Sequence, residues 1–283
     1  MSTTRALVEG GTAAGSLVRR TLMHLGAWLV LLLRPPLARA EATRSVRRWR
    51  LPALVGLGAI AAVAGTMLFF DASVIAQQRG LPAWVVQVFG HITDFGKSGW
   101  FLWPIALFVI AAAALSRPAL GRLANLAVLS VVVRLEFVFF AIGIPALTVT
   151  IVKRLIGRVR PSDSGPFHYV PFSWRPDYAS LPSGHSTAAF AAAFAIGAIW
   201  PRARLAMWIY AGAIAVSRVA VHAHFPSDVL AGGFVGIFGA ILVRNWFAAR
   251  RLAFVRGTDG EVRALGGPSA RRVKSLAARL AGQ

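Results

Sequence analysis

Six long apolar runs limit what this chain can fold into more than any other feature. They cover about 53–70, 100–116, 135–152, 186–200, 205–221 and 229–247. At ~1.5 Å rise per residue, a helix of this length crosses most of a ~30 Å hydrocarbon core. Three of the runs are slightly short and would extend into flanking residues. The expected fold is therefore all-α: a polytopic membrane protein with six transmembrane helices in a bundle.

The charge agrees with that reading. Only 14% of residues are charged, yet 31 Lys and Arg against 10 Asp and Glu leave a net +21. A nucleic-acid-binding protein can be as basic, but its charge coats a solvated domain and does not sit between apolar runs. No nucleic-acid partner is expected. The absence of cysteine excludes a disulfide framework and a thiolate metal site.

Arginine sets the orientation. Arg44, Arg47, Arg48 and Arg50 precede the first run, and Arg117 and Arg122 lie between the second and third. Arg202 and Arg204 lie between the fourth and fifth, and Arg244, Arg250, Arg251 and Arg256 follow the last. The positive-inside rule puts these loops and both termini on the cytoplasmic side. The opposite face then holds 71–99, 153–185 and 222–228. The middle loop breaks the rule with Lys153, Arg154, Arg158, Arg160 and Arg175. A long loop with relaxed charge bias is one explanation; a bound anion is the other.

Three regions follow. Residues 1–52 form a basic N-terminal extension with one apolar run, 22–33, too short to span comfortably. Arg19 and Arg20 before it and Ala38-Arg39-Ala40 after it resemble a signal peptide, but Arg34-Pro35-Pro36 interrupts the small-residue region. An interfacial or disordered segment is the expectation. Residues 53–247 are the membrane domain, and 248–283 a basic cytoplasmic tail with weak amphipathic helix character. The apolar run 123–133 ends at Arg134 and Glu136. It reads as the cytoplasmic approach to the third helix, because Arg134 at mid-membrane would cost roughly 2.5–3.5 kcal/mol.

Three polar patches fall on the outer face. Lys153 and Arg160 are two helical turns apart, and Pro161 pushes Arg160 out of helical geometry. Such cations suit a phosphate, and equally suit snorkelling at the interface. Pro182-Ser183-Gly184-His185 opens the fourth run. Ser183 can cap the helix, Gly184 leaves backbone N–H groups uncovered, and the helix N-terminus favours an anion beside His185. A plain cap with an interfacial histidine is the alternative. In the third patch Arg218 adds a cation, and His224 stands four residues before Asp228. At that spacing a carboxylate can hold Nδ1 and leave Nε2 free as a nucleophile. Asp228 also suits a helix N-cap, and His222 reads as structural. Together the patches supply a nucleophile, an orienting acid, a proton donor and a charge clamp for phosphoryl transfer. No carboxylate cluster suited to a divalent metal is evident, so neither metal nor cofactor is expected.

These residues resemble the type 2 phosphatidic acid phosphatase superfamily, whose signature is K-x6-R-P, P-S-G-H and S-R-x5-H-x3-D. Here it reads Lys153-x6-Arg160-Pro161, Pro182-Ser183-Gly184-His185 and Ser217-Arg218-x5-His224-x3-Asp228, in order and without departure. The resemblance covers about 53–247. It implies a metal-independent phosphatase of lipid phosphates or diphosphates. His224 would form a phosphohistidine, oriented by Asp228. His185 would protonate the leaving oxygen and later activate water. Lys153, Arg160, Arg218, Ser183 and Gly184 would hold the phosphate. The implied setting is the periplasmic face of a bacterial inner membrane.

Undecaprenyl diphosphate, phosphatidylglycerophosphate, phosphatidic acid and lipid A phosphate all fit, and oligomeric state leaves no mark. A lipid phosphotransferase and a non-catalytic lipid-binding protein are the competing readings. The intact His185, His224 and Asp228 weigh against the second. Lys97, in the turn Thr93–Gly99, reads either as a contact to a second phosphate or as an interfacial lysine. Trp84, Trp100, Trp103 and Trp174 read as interface anchors.

Overall fold

The apolar runs do become helices, but two of the boundaries differ from expectation. A computed structural model describes residues 2–37, 47–78, 80–116, 121–161, 165–257 and 259–267, with isolated positions 271, 274, 275 and 278. Ala38-Arg39-Ala40, Arg44, Arg117 and most of the tail beyond 267 lie outside the described residues. The helices are α1 (Ser2–Leu33), α2 (Arg47–Phe69), α3 (Asp71–Gln78), α4 (Ala83–Asp94), α5 (Gly99–Leu115), α6 (Gly121–Ile156), α7 (Gly184–Ile199), α8 (Arg204–Ala220) and α9 (Pro226–Ala249). A short antiparallel pair follows, β1 (Phe254–Arg256) and β2 (Val262–Ala264).

Among the described residues five stretches are long and apolar enough to cross a membrane: Gly15–Leu33, Arg50–Phe69, Ala83–Leu115, Gly121–Ile156 and Pro226–Ala249. The apolar α7, at 16 residues, and α8, at 17, are shorter. The first stretch exceeds the N-terminal run read from sequence, because the helix continues through Arg19 and Arg20. Arg20 Nη2 donates to Ala114 O (3.0 Å), and His24 Nδ1 lies 2.8 Å from Ala113 O. The fold is also not purely all-α, since a β-hairpin occupies part of the expected tail. Asp259-Gly260, with Gly260 at φ +82°, supplies the turn that favours a hairpin.

The chain divides into two compact units. One comprises Met1–Ala38, Trp103–Phe137 and Asn245–Gln283. Its core gathers Trp28, Ala113, Val128 and Val132. Phe137 packs edge-on against Phe247 and Phe254, with centroids at 5.5 and 4.6 Å, so β1 is tied to α6. The 36-residue α6 is about 54 Å long, well beyond a ~30 Å core. Arg134 lies about 20 Å from its start and donates to Ser130 O and to Leu265 O. These bonds satisfy the charge that made a mid-membrane placement costly.

The other unit comprises Arg39–Leu102 and Val138–Arg244 and contains every candidate site residue. Its centre is the packing of α7 on α8 and α9. Ala189 and Ala193 of α7 meet Ala211 and Ile214 of α8. A Cβ at Gly232 or Gly236 of α9 would lie 2.4 Å from Ser183 O or Thr187 O. Glycine therefore sets how closely α9 approaches α7, as small residues do between helices in lipid. None of the Arg50–Phe69 window of α2 is buried, as expected of a lipid-facing helix. The loop expected to be outer, 71–99, folds into α3 and α4, and α4 packs on α8.

Candidate active site

The site is built where α6, α7, α8 and α9 end. Gly157 stops α6 at φ +67°, with Val170 O only 1.8 Å from where a Cβ would be. The chain then turns back: Val159 N donates to His168 O, Val170 N to Gly157 O and Arg160 N to Asp177 O. This carries Arg158 inward and Arg160 onward from Lys153 at the helix end. Lys153 feels the charges of Arg160 and Arg218, so these three cations form one positive field.

The second motif follows a cis Leu181–Pro182 bond. Ser183 is the N-cap of α7 and is wholly buried. Its Oγ accepts from Ser186 N at 3.5 Å, and its own N–H donates to Asp228 O at 2.9 Å. The hydroxyl expected to hold phosphate also accepts from Ser186 Oγ at 3.1 Å, and accepting leaves its own O–H able to donate. Nothing lies within 4 Å of a Cβ at Gly184, so the first turn of α7, with its unpaired N–H groups, is open to an anion. The cations around His185 include Arg218, Lys97 and Lys153. Lys97 is also paired with Asp94 at 2.7 Å, both side chains exposed.

The third motif closes the site. After α8, the N–H groups of Ala223 and His224 both donate to Arg218 O (3.2 Å each), and His222 takes φ +56°. Pro226 opens α9, where its missing N–H costs nothing. Asp228 occupies the third helical position and accepts from Phe225 N at 2.9 Å, the acidic half of a capping box. His224 is 3% exposed. Its Nδ1 lies 3.6 Å from Asp228 Oδ2 and 3.5 Å from Ser180 Oγ, which itself donates to Asp228 Oδ2 at 2.5 Å. Ser180 therefore lies beside the histidine and the carboxylate, bonded to the latter. Burial pushes His224 down to about 4, against the upward pull of Asp228, so the imidazole is neutral at pH 7. His222 is directed elsewhere, with Nε2 at 3.0 Å from Gln78 O.

Arg158 is the residue that sequence reasoning missed. It is wholly buried and satisfies all its donors. Nε and Nη2 bond Pro166 O (3.1 and 2.8 Å), and Nη1 bonds Ser227 Oγ (2.7 Å) and Asp228 Oδ1 (2.5 Å). Nη2 also meets Asp71 Oδ2 at 2.7 Å, and the guanidinium lies 4.2 Å from the centroid of Phe225. Asp71, the first residue of α3, also accepts from Ser227 N and Oγ. One buried cation thus joins Asp71 to Asp228 and holds the face of Asp228 turned away from His224. Burial disfavours the Arg158 charge, but Asp228 and Asp71 outweigh it and raise the pKa. On α4, Thr93 Oγ1 accepts from Arg218 Nη1 at 2.6 Å. A Cβ at Gly96 would fall 3.0 Å from His185 Cδ2, so the 93–99 turn lies over the site. Among the described residues no group of three His, Cys, Asp or Glu side chains is arranged to hold a metal.

The chain is similar to known proteins. The PAP2 superfamily profile matches residues 135–252. A lipid A 1-phosphatase of Rhizobium johnstonii is 35% identical over 221 residues, covering 75% of this chain and 86% of that one. The lipid A 1-phosphatase of Rhizobium etli is 36% identical over 221 residues, covering 75% and 91%. A transmembrane PAP2-type phosphatidylglycerolphosphate phosphatase from Bacillus subtilis, solved as a crystal structure, is 20% identical. It covers 80% of this chain and 95% of that one, with a TM-score of 0.42. The protein is a multi-pass membrane enzyme, a phosphatase of lipid phosphates. It belongs to the PAP2 superfamily.

Proposed function

We propose that the enzyme removes phosphate from a lipid headgroup at the periplasmic face of a bacterial inner membrane, through a phosphohistidine on His224. Lipid A 1-phosphate, the substrate class in the relatives' names, is the proposed substrate. The observation that carries the mechanism is the buried His224, with Nδ1 turned to Ser180 and Asp228.

Lys153, Arg160, Arg218 and the N–H groups opening α7 at Gly184 hold the phosphate oxygens, and Ser183 shapes that turn. His224 Nε2 attacks phosphorus as the bond to the lipid oxygen breaks. His185 gives that oxygen a proton, and the dephosphorylated lipid leaves. Water then attacks the phosphohistidine while His185 takes its proton, releasing inorganic phosphate and restoring both histidines. No metal or cofactor enters the scheme.

The orientation rests on the arginine-bearing loops, with α2, α5, α6, α7, α8 and α9 as six crossings. α1 is also long enough to cross. Every site residue but Arg218 comes from 71–99, 153–185 or 222–228, the outer segments of that scheme, and Arg218 stands in the last turn of α8.

The test is phosphate release by detergent-purified enzyme from lipid A 1-phosphate, phosphatidylglycerophosphate, phosphatidic acid and undecaprenyl diphosphate, with an acceptor lipid in parallel. Lipid A 1-phosphate is expected to lead, with none released by His224→Ala. Normal turnover by that variant would sink the mechanism. Label appearing on the acceptor would identify a phosphotransferase.

A further inference from the structure

The arginines of the site are not held alike. Arg158 is tied down by five hydrogen bonds. Arg218 is nearly as buried, at 7% exposed. Among the described residues, however, its guanidinium makes one hydrogen bond, from Nη1 to Thr93 Oγ1 at 2.6 Å. Its Nε is enclosed without a partner. An arginine side chain has several rotatable bonds, and clamping an anion costs it their freedom. A short bond to a fixed acceptor removes much of that cost before the anion arrives.

Thr93 is such an acceptor. It is the penultimate residue of α4, and the turn that follows is fastened to α8. Gly96 N donates to Thr93 O at 2.9 Å, and Tyr210 Oη donates to Phe95 O at 2.8 Å. A Cβ on Gly96 would lie 2.7 Å from Ile214 Cγ2 and 3.0 Å from His185 Cδ2, so the turn is seated against both. Tyr210, Ile214 and Arg218 follow one another at intervals of four residues and share one face of α8. That face meets the turn. Thr93 also stands outside 135–252, the stretch matched by the family profile. The anchor of a cation within the profile thus comes from a segment the profile does not cover.

We propose that Thr93 is a positioning residue for the phosphate site, its hydroxyl holding the Arg218 guanidinium in the orientation that receives a phosphate oxygen. The inference rests on the reading of Arg218 as a phosphate ligand. Thr93 acts through the arginine and touches no reacting atom. Without Oγ1, Nη1 loses a hydrogen bond to a charged group, and the long side chain spreads over other rotamers. Phosphate then has to order the arginine as well as bind it.

The experiment uses the full chain in detergent with inorganic phosphate as the probe. Affinity is read from the rise of Tm with phosphate concentration, which serves inactive variants as well as active ones. Thr93→Val keeps the branched shape and removes the hydroxyl; Thr93→Ser keeps the hydroxyl. The valine variant is expected to bind phosphate about tenfold more weakly than wild type, as loss of a hydrogen bond to a charged group requires. The serine variant is expected to stay within about twofold. In an Arg218→Ala background, adding Thr93→Val should change nothing further, because the group it orients is gone. With a lipid phosphate as substrate, kcat/KM of Thr93→Val should fall by at least the factor seen for phosphate. Unchanged phosphate affinity in Thr93→Val overturns the proposal. So does an equal loss in both backgrounds, which would make the threonine a support of the site at large. Wild-type phosphate affinity in Arg218→Ala alone would instead overturn the assignment of Arg218 to the phosphate, and this inference with it.

Discussion

Replacing Arg158 by methionine removes a cation and leaves most of its volume. In the folded protein five hydrogen bonds are lost, two of which are fully buried ion pairs. What remains is a pair of buried carboxylates, Asp71 and Asp228, without their counter-charge. Breaking a buried pair by removing one partner costs about 3–5 kcal/mol, which predicts a fall in Tm on the order of 10 °C. The freed Asp228 carboxylate no longer keeps its geometry, and misplacement of a catalytic group by about 1 Å costs on the order of 100-fold in rate. Stability alone does not separate a structural role from a positioning one, so the decisive readout is pH. His224 attacks only when neutral. With Arg158 gone, the unbalanced Asp228 charge stabilises the imidazolium and raises the His224 pKa from about 4. The acid limb of kcat/KM then moves to higher pH. Arg158→Lys keeps the charge but has only three donors; it should lose stability while leaving the limb in place. A methionine variant whose Tm falls less than about 2 °C, with an unmoved acid limb, would refute this account of Arg158.

Three further outcomes are expected. His185→Ala should slow phosphate release severely yet accumulate phosphohistidine from a substrate with a good leaving group, detectable by acid-labile phosphate on the protein; a labelled intermediate that never forms counts against His224 as nucleophile. Activity should persist in EDTA, and loss of turnover in chelator restored by Mg²⁺ would show that the cations do not carry the charge alone. Gly157→Ala should lower Tm, costing at least about 1 kcal/mol for the left-handed backbone before the overlap with Val170 O is counted; an unchanged Tm would mean the turn is not constrained.

The parts legible in the sequence were those whose chemistry is local. The Lys153–Arg160, Ser183–His185 and Arg218–Asp228 patches each carry their spacing within a dozen residues, and the apolar runs carry their length. Arg158 was visible only as one of five outer cations, because burial depends on partners far along the chain. Asp71 had no signal at all: a single carboxylate 87 residues before the guanidinium it meets. Ser180 precedes the Pro-Ser-Gly-His turn and looks like any loop serine until His224 and Asp228 fold against it. The hairpin is a different case. Asp259-Gly260 between Val-Arg pairs was a readable turn signal, overshadowed by the basic composition of the tail. The extension of α1 through Arg19 and Arg20 was hidden because the acceptor of Arg20 is a backbone carbonyl of α5, 94 residues away.

The Asp71 bond also has a consequence in time. Asp71 meets Arg158 at a separation of 87 residues and Ser227 at 156. At a synthesis rate of about 5–20 residues per second, Ser227 emerges roughly 8–30 s after Asp71. For that interval the first carboxylate of the network stands in a nascent chain without the helix start it will hold. The catalytic loop is therefore among the last parts of its unit to be fixed, and the enzyme gains its working geometry only when α9 arrives.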